Sequence, residues 1–402
     1  MSEIAGNGFP KVNLMDWTSH TMERIPPSDT LKMFELAKKL EAEGKRILHF
    51  EVGQPDFPTP NNIVEAGIQA LKDGHTSYTS SRGITPLLNA VEAFYGHRGI
   101  KIDGKKNVII TPGAKMALFQ AFISTLDAGD DVLLLAPAWP TYRVMIRTAQ
   151  AKPVDVNTKP GYELDEEALK NAVSRTVSAL VINSPNNPTG GVLSKDQMKV
   201  IYDLAEDHDF VVFSDEIYEA LVYDDFKQTS MLEVDPTMEH SLIINGLSKT
   251  YAMTGWRLGY AIGNEEVVSN MVRIQQNTTS CATSFVQYAG VEALTGNQTS
   301  IKMMLDEYQA RRDILIELMN KIPGVNCVFP RGAFYAFPDF SAVGLSSQTL
   351  AEILLRKTGI CTTPGISFGK EYDSNLRFSY ATSMQEIKDG MEKLTEFIPT
   401  LY

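Results

Sequence analysis

The amino-acid sequence predicts an α/β fold in which a largely parallel sheet is covered by helices on both faces. Short apolar runs of strand length recur between about residues 107 and 262, and helix-like segments separate several of them. Strands that are apolar on both faces are typical of parallel sheets, because helices pack on both sides of such sheets. The length of 402 residues is enough for two or three domains of ordinary size.

The predicted elements follow one another along the chain. An irregular arm over residues 1–30 precedes a helix at about 30–43, and a Gly- and Pro-rich boundary follows at 53–60. Strands are predicted at Asn107–Ile110, Asp131–Ala136, Lys152–Val156, Ala179–Asn183, Phe210–Ser214, Ser241–Asn245 and Leu258–Ile262. Further helices are predicted at 115–126, 166–174, 194–208 and 298–321. The chain is predicted to be mostly helical from about 265, with a final α+β segment from about 325 to the end.

Composition and charge argue against several classes of protein. The 37 basic and 49 acidic residues give 37 − 49 = −12, whereas nucleic-acid binding needs a surplus of basic residues. No apolar run approaches the ~20 residues of a membrane span, and the polar N-terminus does not resemble a signal peptide. Three cysteines without close pairing, and the absence of an HExxH motif, predict neither a disulfide framework nor a metal site. We therefore expect a cytoplasmic protein with no metal, membrane or nucleic-acid partner.

The residues that follow the predicted strands form the candidate site, because ligands of open α/β sheets bind beyond the carboxyl ends of the strands. These positions hold an anion-binding turn, an aromatic ring, amides, a carboxylate with a nearby phenol, and an amine. They are Gly113-Ala114-Lys115, Trp139, the stretch 184–190, Asp215 with Tyr218, and Lys249. The whole set on one rim is more informative than any single member.

The amine and the carboxylate of this rim favour one kind of chemistry. Lys249 is ordinarily read as a solvated surface charge, but it follows a buried-looking strand, which suits a desolvated amine that forms a Schiff base with an aldehyde. Asp215 ends an apolar strand like the magnesium-binding carboxylate of an ATPase, yet the chain has no GxxxxGK[ST] loop. Asp215 is then either a capping residue or the partner that keeps a pyridinium nitrogen protonated, as pyridoxal phosphate requires.

The remaining candidates point to an anionic ligand with a flat ring. The turn Gly113-Ala114-Lys115 opens a helix whose N–H groups favour a phosphate, although an ordinary strand-to-helix turn looks the same. Arg257 and Arg377 suit phosphate or carboxylate because a guanidinium donates two parallel hydrogen bonds, but either could be a surface charge. Trp139 is either a core residue or an aromatic plate over a cofactor ring.

Certain stretches of the chain recur in this order and spacing in a known family. They are Gly53–Phe57, Gly113–Lys115, Asn183–Gly190 (NSPNNPTG), Ser214–Tyr218 (SDEIY), Ser248–Tyr260 (SKTYAMTGWRLGY), Gly332–Tyr335 (GAFY) and Leu376–Ser383 (LRFSYATS). In them the sequence resembles the class I/II aminotransferases of fold type I, which depend on pyridoxal phosphate, and most of all the prokaryotic aspartate aminotransferases. The resemblance implies a large domain at 61–295 with a mostly parallel seven-stranded sheet. It also implies a smaller α+β domain formed by both chain ends, at 31–60 and 296–402.

The resemblance implies a role for each residue that acts on the cofactor ring. Lys249 would form the Schiff base and then act as general base and acid. Asp215 would pair with the pyridine nitrogen, and Trp139 would stack on the ring. Tyr218 and Asn187 would hydrogen-bond the phenolic oxygen of the ring and tune its titration.

Other residues would hold the charged ends of cofactor and substrate. Gly113, Ala114, Lys115 and Arg257 would surround the phosphate, and Tyr78 would reach the phosphate in the neighbouring subunit, which implies a homodimer with shared active sites. Arg377 would bind the substrate α-carboxylate, helped by Asn187, Trp139 and the Gly53 backbone. Two positions depart from the family pattern: Gly246 stands where many relatives have serine, and Pro26 where some dicarboxylate-specific relatives have lysine.

The implied reaction is amino-group transfer between an L-α-amino acid and a 2-oxo acid by a ping-pong mechanism. Substrates of the aspartate/2-oxoglutarate type are the leading expectation. Lys115 is the remaining candidate cation for a distal carboxylate. The alternatives are an alanine-, aromatic- or other amino acid-specific aminotransferase, or a C–S lyase on the same fold. A transcription regulator would need a DNA-binding module of ~70 residues before the first helix, and the sequence has only about 30 irregular residues there.

Overall fold

The computed structural model of the chain describes residues 20–23, 25 and 29–402. Its helices are α1 (His20–Glu23), α2 (Asp29–Ala42), α3 (Asn61–Lys72), α4 (Thr85–Gly96), α5 (Gly104–Asn107), α6 (Ala114–Thr125), α7 (Pro140–Thr148), α8 (Glu166–Ala172), α9 (Lys195–His208), α10 (Glu265–Thr278), α11 (Ser284–Thr295), α12 (Thr299–Met319), α13 (Ser347–Thr358) and α14 (Met384–Phe397). Its strands are β1 (Leu48–His49), β2 (Val108–Thr111), β3 (Asp131–Ala136), β4 (Lys152–Asn157), β5 (Val177–Asn183), β6 (Val211–Asp215), β7 (Ser241–Gly246), β8 (Gly259–Ile262), β9 (Tyr335–Ala336), β10 (Ile360–Cys361), β11 (Thr363–Pro364) and β12 (Leu376–Ser379).

The central element is a seven-stranded sheet with the order β2-β8-β7-β6-β5-β3-β4. Neighbouring strands from β4 to β7 run parallel, whereas β8 lies antiparallel between β2 and β7. This confirms the predicted mostly parallel sheet, and each predicted strand corresponds to one of its seven strands. The bounds of β3 agree with the prediction, and those of the other strands differ by at most two residues. Asn107, for example, ends α5 instead of opening β2, because its side chain accepts a hydrogen bond from the Asp103 backbone and donates to Gly263.

Helices cover both faces of this sheet, which explains why its strands are apolar on both sides. Val132 and Leu134 of β3 point into one cluster with side chains of α6, α7 and α10. Leu133, between them, points into the opposite cluster with side chains of α4, α9 and α11. Alternation along the strand therefore buries successive residues of β3 against opposite helical layers, and only Asp131 and Leu135 stay partly exposed.

A further hydrophobic cluster joins the two ends of the chain. Met33 and Ala37 of α2 pack with Leu315 and Ile316 of α12 and with the buried faces of α13 and α14. Strand β1 pairs in parallel with β10, and β12 lies between β11 and β9 in a small antiparallel sheet. A smaller domain built from both chain ends would have a hydrophobic core of this kind. The domain boundaries 31–60, 61–295 and 296–402 remain a prediction.

The predicted arm falls largely outside the described residues. Within it the structure has helix α1, where an irregular stretch was expected, and Pro26 lies outside the described residues. Over residues 20–23, 25 and 29–402, no helix combines the length and the hydrophobicity that crossing a membrane requires.

Candidate active site

The carboxyl ends of the parallel strands lie along one rim, and the chain places its candidate site residues there. Gly113 follows β2, Trp139 follows β3, and Asn187 follows β5. Asp215 is the last residue of β6, and Lys249 lies three residues beyond the end of β7. These connections come together because the strands that carry them are neighbours in one sheet.

Lys249 lies between an aromatic wall and the loop from the N-terminal end of the chain. Its Nζ donates a 2.6 Å hydrogen bond to the Gly53 carbonyl and lies 6.0 Å from the centre of the Tyr218 ring. Desolvation lowers the pKa of Lys249 to about 8, and the positive charges of Arg377 and Arg257 add to this effect. The neutral form, which a nucleophile needs, is therefore far more populated near physiological pH than it is for an ordinary lysine.

Asp215 is a buried carboxylate that forms no salt bridge with a described side chain, although the charge of Lys249 acts on it from a greater distance. Its Oδ2 accepts a 2.6 Å hydrogen bond from the Tyr142 hydroxyl, and its Oδ1 accepts one from the Ile217 N–H at 3.2 Å. Burial raises the pKa of Asp215 to about 6. A cation next to this carboxylate would offset the cost of its burial, so a protonated heterocyclic nitrogen fits the position.

Arg377, on β12, has a guanidinium group that the protein holds from several sides. Its Nη1 donates to Asn187 Oδ1 at 3.1 Å, and its Nη2 donates to the Glu51 carbonyl at 2.6 Å and to Thr363 Oγ1 at 3.2 Å. The guanidinium also lies 4.6 Å from the centre of the Tyr335 ring. Its buried Nε has no hydrogen-bond partner in the part of the chain that is described. This group is a fixed cation without a protein carboxylate, as an anion-binding site requires.

A second cationic region surrounds the first turn of α6. Gly113 precedes this helix and has a φ angle of +84°, which favours glycine. A Cβ atom at this position would lie 2.6 Å from Nη2 of Arg257. Only glycine therefore lets the guanidinium approach the backbone so closely. Lys115 is exposed in the first turn, and its Nζ lies 5.0 Å from the centre of the Trp139 ring. Lost hydration and repulsion by Arg257 lower the pKa of Lys115. Two cations at a helix N-terminus fit a phosphate.

One candidate lies apart from this cluster. Tyr78 is 87% exposed on the surface of this chain. Gly246 has a local explanation: a Cβ there would lie 3.0 Å from Cα of Gly259 on the adjacent strand, so a side chain would press on that backbone.

The structure also shows neighbours of the site that sequence reasoning missed. Tyr142 donates to Asp215, and the sequence signal that could have pointed to it is its position in the first turn of α7, three residues after Trp139, whose ring it contacts. Tyr335 belongs to the GAFY stretch, but nothing in the sequence shows that its hydroxyl lies 2.8 Å from that of Tyr218. Groups of His, Cys, Asp or Glu able to hold a metal were sought among the described residues, and none was found.

The comparison with known proteins agrees with this geometry. Residues 45–394 match the family model described as aminotransferase class I and II. The aspartate aminotransferase of Musicola paradisiaca is 35% identical, over 94% of this chain and 95% of that protein. Aromatic-amino-acid aminotransferase 2 of Thermococcus litoralis is 36% identical, over 94% of this chain and 98% of that protein.

Solved structures show the same relationship in three dimensions. The aspartate aminotransferase of Thermus thermophilus with maleate has a TM-score of 0.90 and 36% identity, and the match covers 94% of this chain and 99% of that one. An aromatic aminotransferase of Pyrococcus horikoshii has a TM-score of 0.87 and 34% identity, over 91% of this chain. The buried carboxylate, the amine of low pKa and the cationic helix end fit the flat phosphorylated aldehyde that such enzymes use. The chain belongs to the class I and II aminotransferases of fold type I, and it is a transaminase that depends on pyridoxal phosphate.

Proposed function

We propose that this transaminase moves the amino group of L-aspartate to a 2-oxo acid of the 2-oxoglutarate type, in two half-reactions of a ping-pong cycle. The main support for this proposal is that two cations able to bind carboxylates, Arg377 and Lys115, lie on one rim. Arg377 is a fixed buried cation, and Lys115 is a second, exposed cation at the wall formed by Trp139. A dicarboxylic amino acid has two carboxylates, one of which would bind Arg377 and the other Lys115. Relatives that are aspartate aminotransferases support the same assignment.

The residues nearest the strand ends would hold the cofactor ring and move the proton. When bound, pyridoxal phosphate supplies a ring that withdraws electrons from the substrate Cα. Lys249 would bind the cofactor covalently and, once released, take the proton from Cα as a neutral amine. Asp215 would keep a proton on the ring nitrogen, and Tyr142 would hold Asp215 in place through the 2.6 Å hydrogen bond.

Further residues would fix the plane and the charged end of the cofactor. Trp139 would stack on the ring, and Tyr218 and Asn187 would donate to its phenolic oxygen. The phosphate would lie at the first turn of α6, with the backbone of Gly113 and Ala114 and the side chains of Lys115 and Arg257 around it. Tyr78 would complete this region from a second copy of the chain, so we also infer a homodimer with active sites at the interface, located in the cytoplasm.

Arg377 would bind the substrate α-carboxylate, with Asn187 and the Gly53 backbone beside it. The Asn187 amide carbonyl already accepts from Arg377, which leaves its amide N–H groups free to donate to a ligand. Because every neighbour of the guanidinium is fixed, little conformational entropy is lost when the carboxylate binds.

A donor panel tests the substrate assignment. We expect the highest kcat/KM for L-aspartate when L-aspartate, L-glutamate, L-alanine and L-phenylalanine are compared with 2-oxoglutarate as acceptor. Lys115→Gln should lower kcat/KM for aspartate on the order of ten- to a hundredfold, the effect of losing a hydrogen-bonded charge pair. L-alanine is the matched control: it has no distal carboxylate, so the smaller loss expected with it measures the contribution of Lys115 to the cofactor phosphate. An equal loss with both donors would show that Lys115 acts on the cofactor alone, and the distal-carboxylate role would be wrong.

An aromatic donor is the second candidate, and the aromatic side chains near Arg377 favour it. Tyr335 and Phe368 both lie against its guanidinium, and relatives with aromatic specificity are as similar as those specific for aspartate. A higher kcat/KM for phenylalanine than for aspartate would establish it. Release of pyruvate and ammonia from a cysteine conjugate, without transamination of any donor, would instead indicate a C–S lyase.

A further inference from the structure

Tyr335 lies at the centre of the candidate active site, although the function proposed above gives it no role. It is fully buried on β9, and its hydroxyl lies 2.8 Å from the hydroxyl of Tyr218. Its ring is covered by the guanidinium of Arg377 at 4.6 Å. A Cβ built on Gly53 would lie 2.5 Å from the Tyr335 hydroxyl oxygen, so glycine at that position makes room for this hydroxyl. Tyr335 therefore contacts three residues of the site at once.

The contact between the two tyrosines must have a direction, because two hydroxyls share one hydrogen bond through one proton. Burial raises the pKa of both phenols. The charge of Arg377 opposes this rise at both phenols, and its guanidinium covers the ring of Tyr335 itself. The two phenols differ in that the buried carboxylate of Asp215 adds to the rise at Tyr218. Tyr335 is thus the more acidic of the two, and the more acidic hydroxyl is the better donor. The proton of Tyr218 then points away from Tyr335.

We propose that Tyr335 is a positioning residue that donates to Tyr218 and so turns the Tyr218 O–H toward the bound cofactor. The acceptor is the phenolic oxygen of the cofactor ring, and the inference therefore rests on the proposed role of Tyr218. The second contact of Tyr335, the stacking of its ring on Arg377, supports the substrate carboxylate site through the ring alone. The hydroxyl and the ring of one side chain thus serve two different parts of the reaction.

Tyr335→Phe separates these two contributions, because it removes the hydroxyl and keeps the ring. The hydrogen bond that Tyr218 donates would stabilise the anionic form of the cofactor's phenolic oxygen. Without the Tyr335 hydroxyl to orient Tyr218, this hydrogen bond should weaken, which favours protonation of the bound cofactor. We expect the pH midpoint of its visible absorbance to rise by about half a unit or more. We expect kcat to fall on the order of five- to tenfold, the effect of one buried hydrogen bond. KM for the amino donor should change less than about twofold, since the ring still covers Arg377.

Two further variants keep the test independent of general damage to the fold. Tyr308→Phe is the matched control, because Tyr308 is also buried near Phe334 and its hydroxyl has no hydrogen-bond partner within the described chain. It should leave the absorbance midpoint unchanged. In a Tyr218→Phe background, Tyr335→Phe should have little additional effect, because its action passes through Tyr218.

The outcomes distinguish this inference from the proposed function. If the wild-type protein with pyridoxal phosphate shows no pH-dependent visible absorbance, the proposed function fails. If the wild type shows it and Tyr335→Phe has the same midpoint, only the role of Tyr335 is wrong. A shift of equal size with and without the Tyr218 hydroxyl would likewise overturn it.

Discussion

Lys249 shows how far a single environment changes the chemistry of one residue. Its amine is partly buried, bonded to the Gly53 carbonyl and surrounded by the charges of Arg377 and Arg257. These surroundings lower the pKa of Lys249 from 10.5 to about 8. In the role proposed for Lys249, the fold prepares the amine for attack on an aldehyde before the cofactor binds.

The pH dependence of cofactor binding tests this residue. Attack requires the neutral amine, which makes up about one tenth of the amine at pH 7 and about nine tenths at pH 9 for a pKa near 8. We expect the rate at which cofactor-free protein binds pyridoxal phosphate to rise with pH and to level off above about pH 8.5. Arg377→Gln should move the midpoint upward, because it removes the largest charge contribution. Stopped-flow absorbance measures both, and a rate that rises steadily to pH 10 would contradict the shift.

The residues that could be predicted are those for which sequence position alone indicates a place in the fold. Lys249 and Asp215 follow apolar strands, so the rule for ligand sites of α/β sheets places them on one rim. Tyr142 and Tyr335 could not be assigned in this way, since their contacts depend on where a helix face and a strand from elsewhere in the chain meet the rim. The exposure of Tyr78 needed the three-dimensional structure too.

At the scale of elements, the segment 51–57 connects the two active-site cations. The Glu51 carbonyl accepts from Arg377, and the Gly53 carbonyl accepts from Lys249. One end of the segment is fixed by His49, which bonds the Glu51 side chain at 2.8 Å and whose pKa that contact raises to about 9. The other end is fixed by Asp56, which accepts two hydrogen bonds from Arg311 of α12. Composition predicted this stretch only as a turn. Pro and Gly indicate a loop, but they do not indicate the hydrogen bonds to His49 and Arg311 that fix its two ends.

Asp56→Asn tests whether the contact between Asp56 and Arg311 stabilises the protein and holds segment 51–57 in place. The buried Arg311 would lose one of its two ion pairs and keep the one with Glu307, and we expect a loss of about 1–2 kcal/mol in the free energy of unfolding, discounted for the partial exposure of Asp56. KM for the amino donor should rise as well, because the segment holds Arg377. Urea denaturation and steady-state kinetics measure the two effects. Asp306→Asn, which breaks an exposed ion pair with Lys302 on the same helix, is the control. Equal effects of both variants would argue against the anchor.

At the scale of the whole molecule, the chain combines a net charge of −12 with a local group of cations. Lys115, Arg257, Lys249 and Arg377 lie around one rim, where the phosphate and carboxylates of the ligands are expected. The homodimer proposed above would cover Tyr78, whose side chain is 87% exposed in the single chain.

Mixed dimers test this arrangement. Tyr78→Phe alone should weaken cofactor binding about five- to thirtyfold, and Lys249→Ala should abolish covalent attachment. When the two variants are unfolded and refolded together in equal amounts, about half of the sites that retain Lys249 should regain wild-type affinity, because Tyr78 comes from the other subunit. Absorbance titration with pyridoxal phosphate measures this fraction. If no such fraction appears, Tyr78 acts within its own chain or has no role. Tyr288→Phe, which alters a neighbouring ring that stacks on His75, is the control.

The position of Arg377 on β12 has a consequence for the biosynthesis of the enzyme. The site takes Gly53 from near one end of the chain and Arg377 from near the other, and β12 is held by β9 and β11, which also come late in the sequence. During synthesis the earlier parts of a chain fold first. The central sheet can therefore form while the ribosome is still translating β12. In the role proposed for Arg377, the substrate carboxylate site forms only after β12 has left the ribosome, so a chain that stops before β12 would fold its sheet without gaining this site.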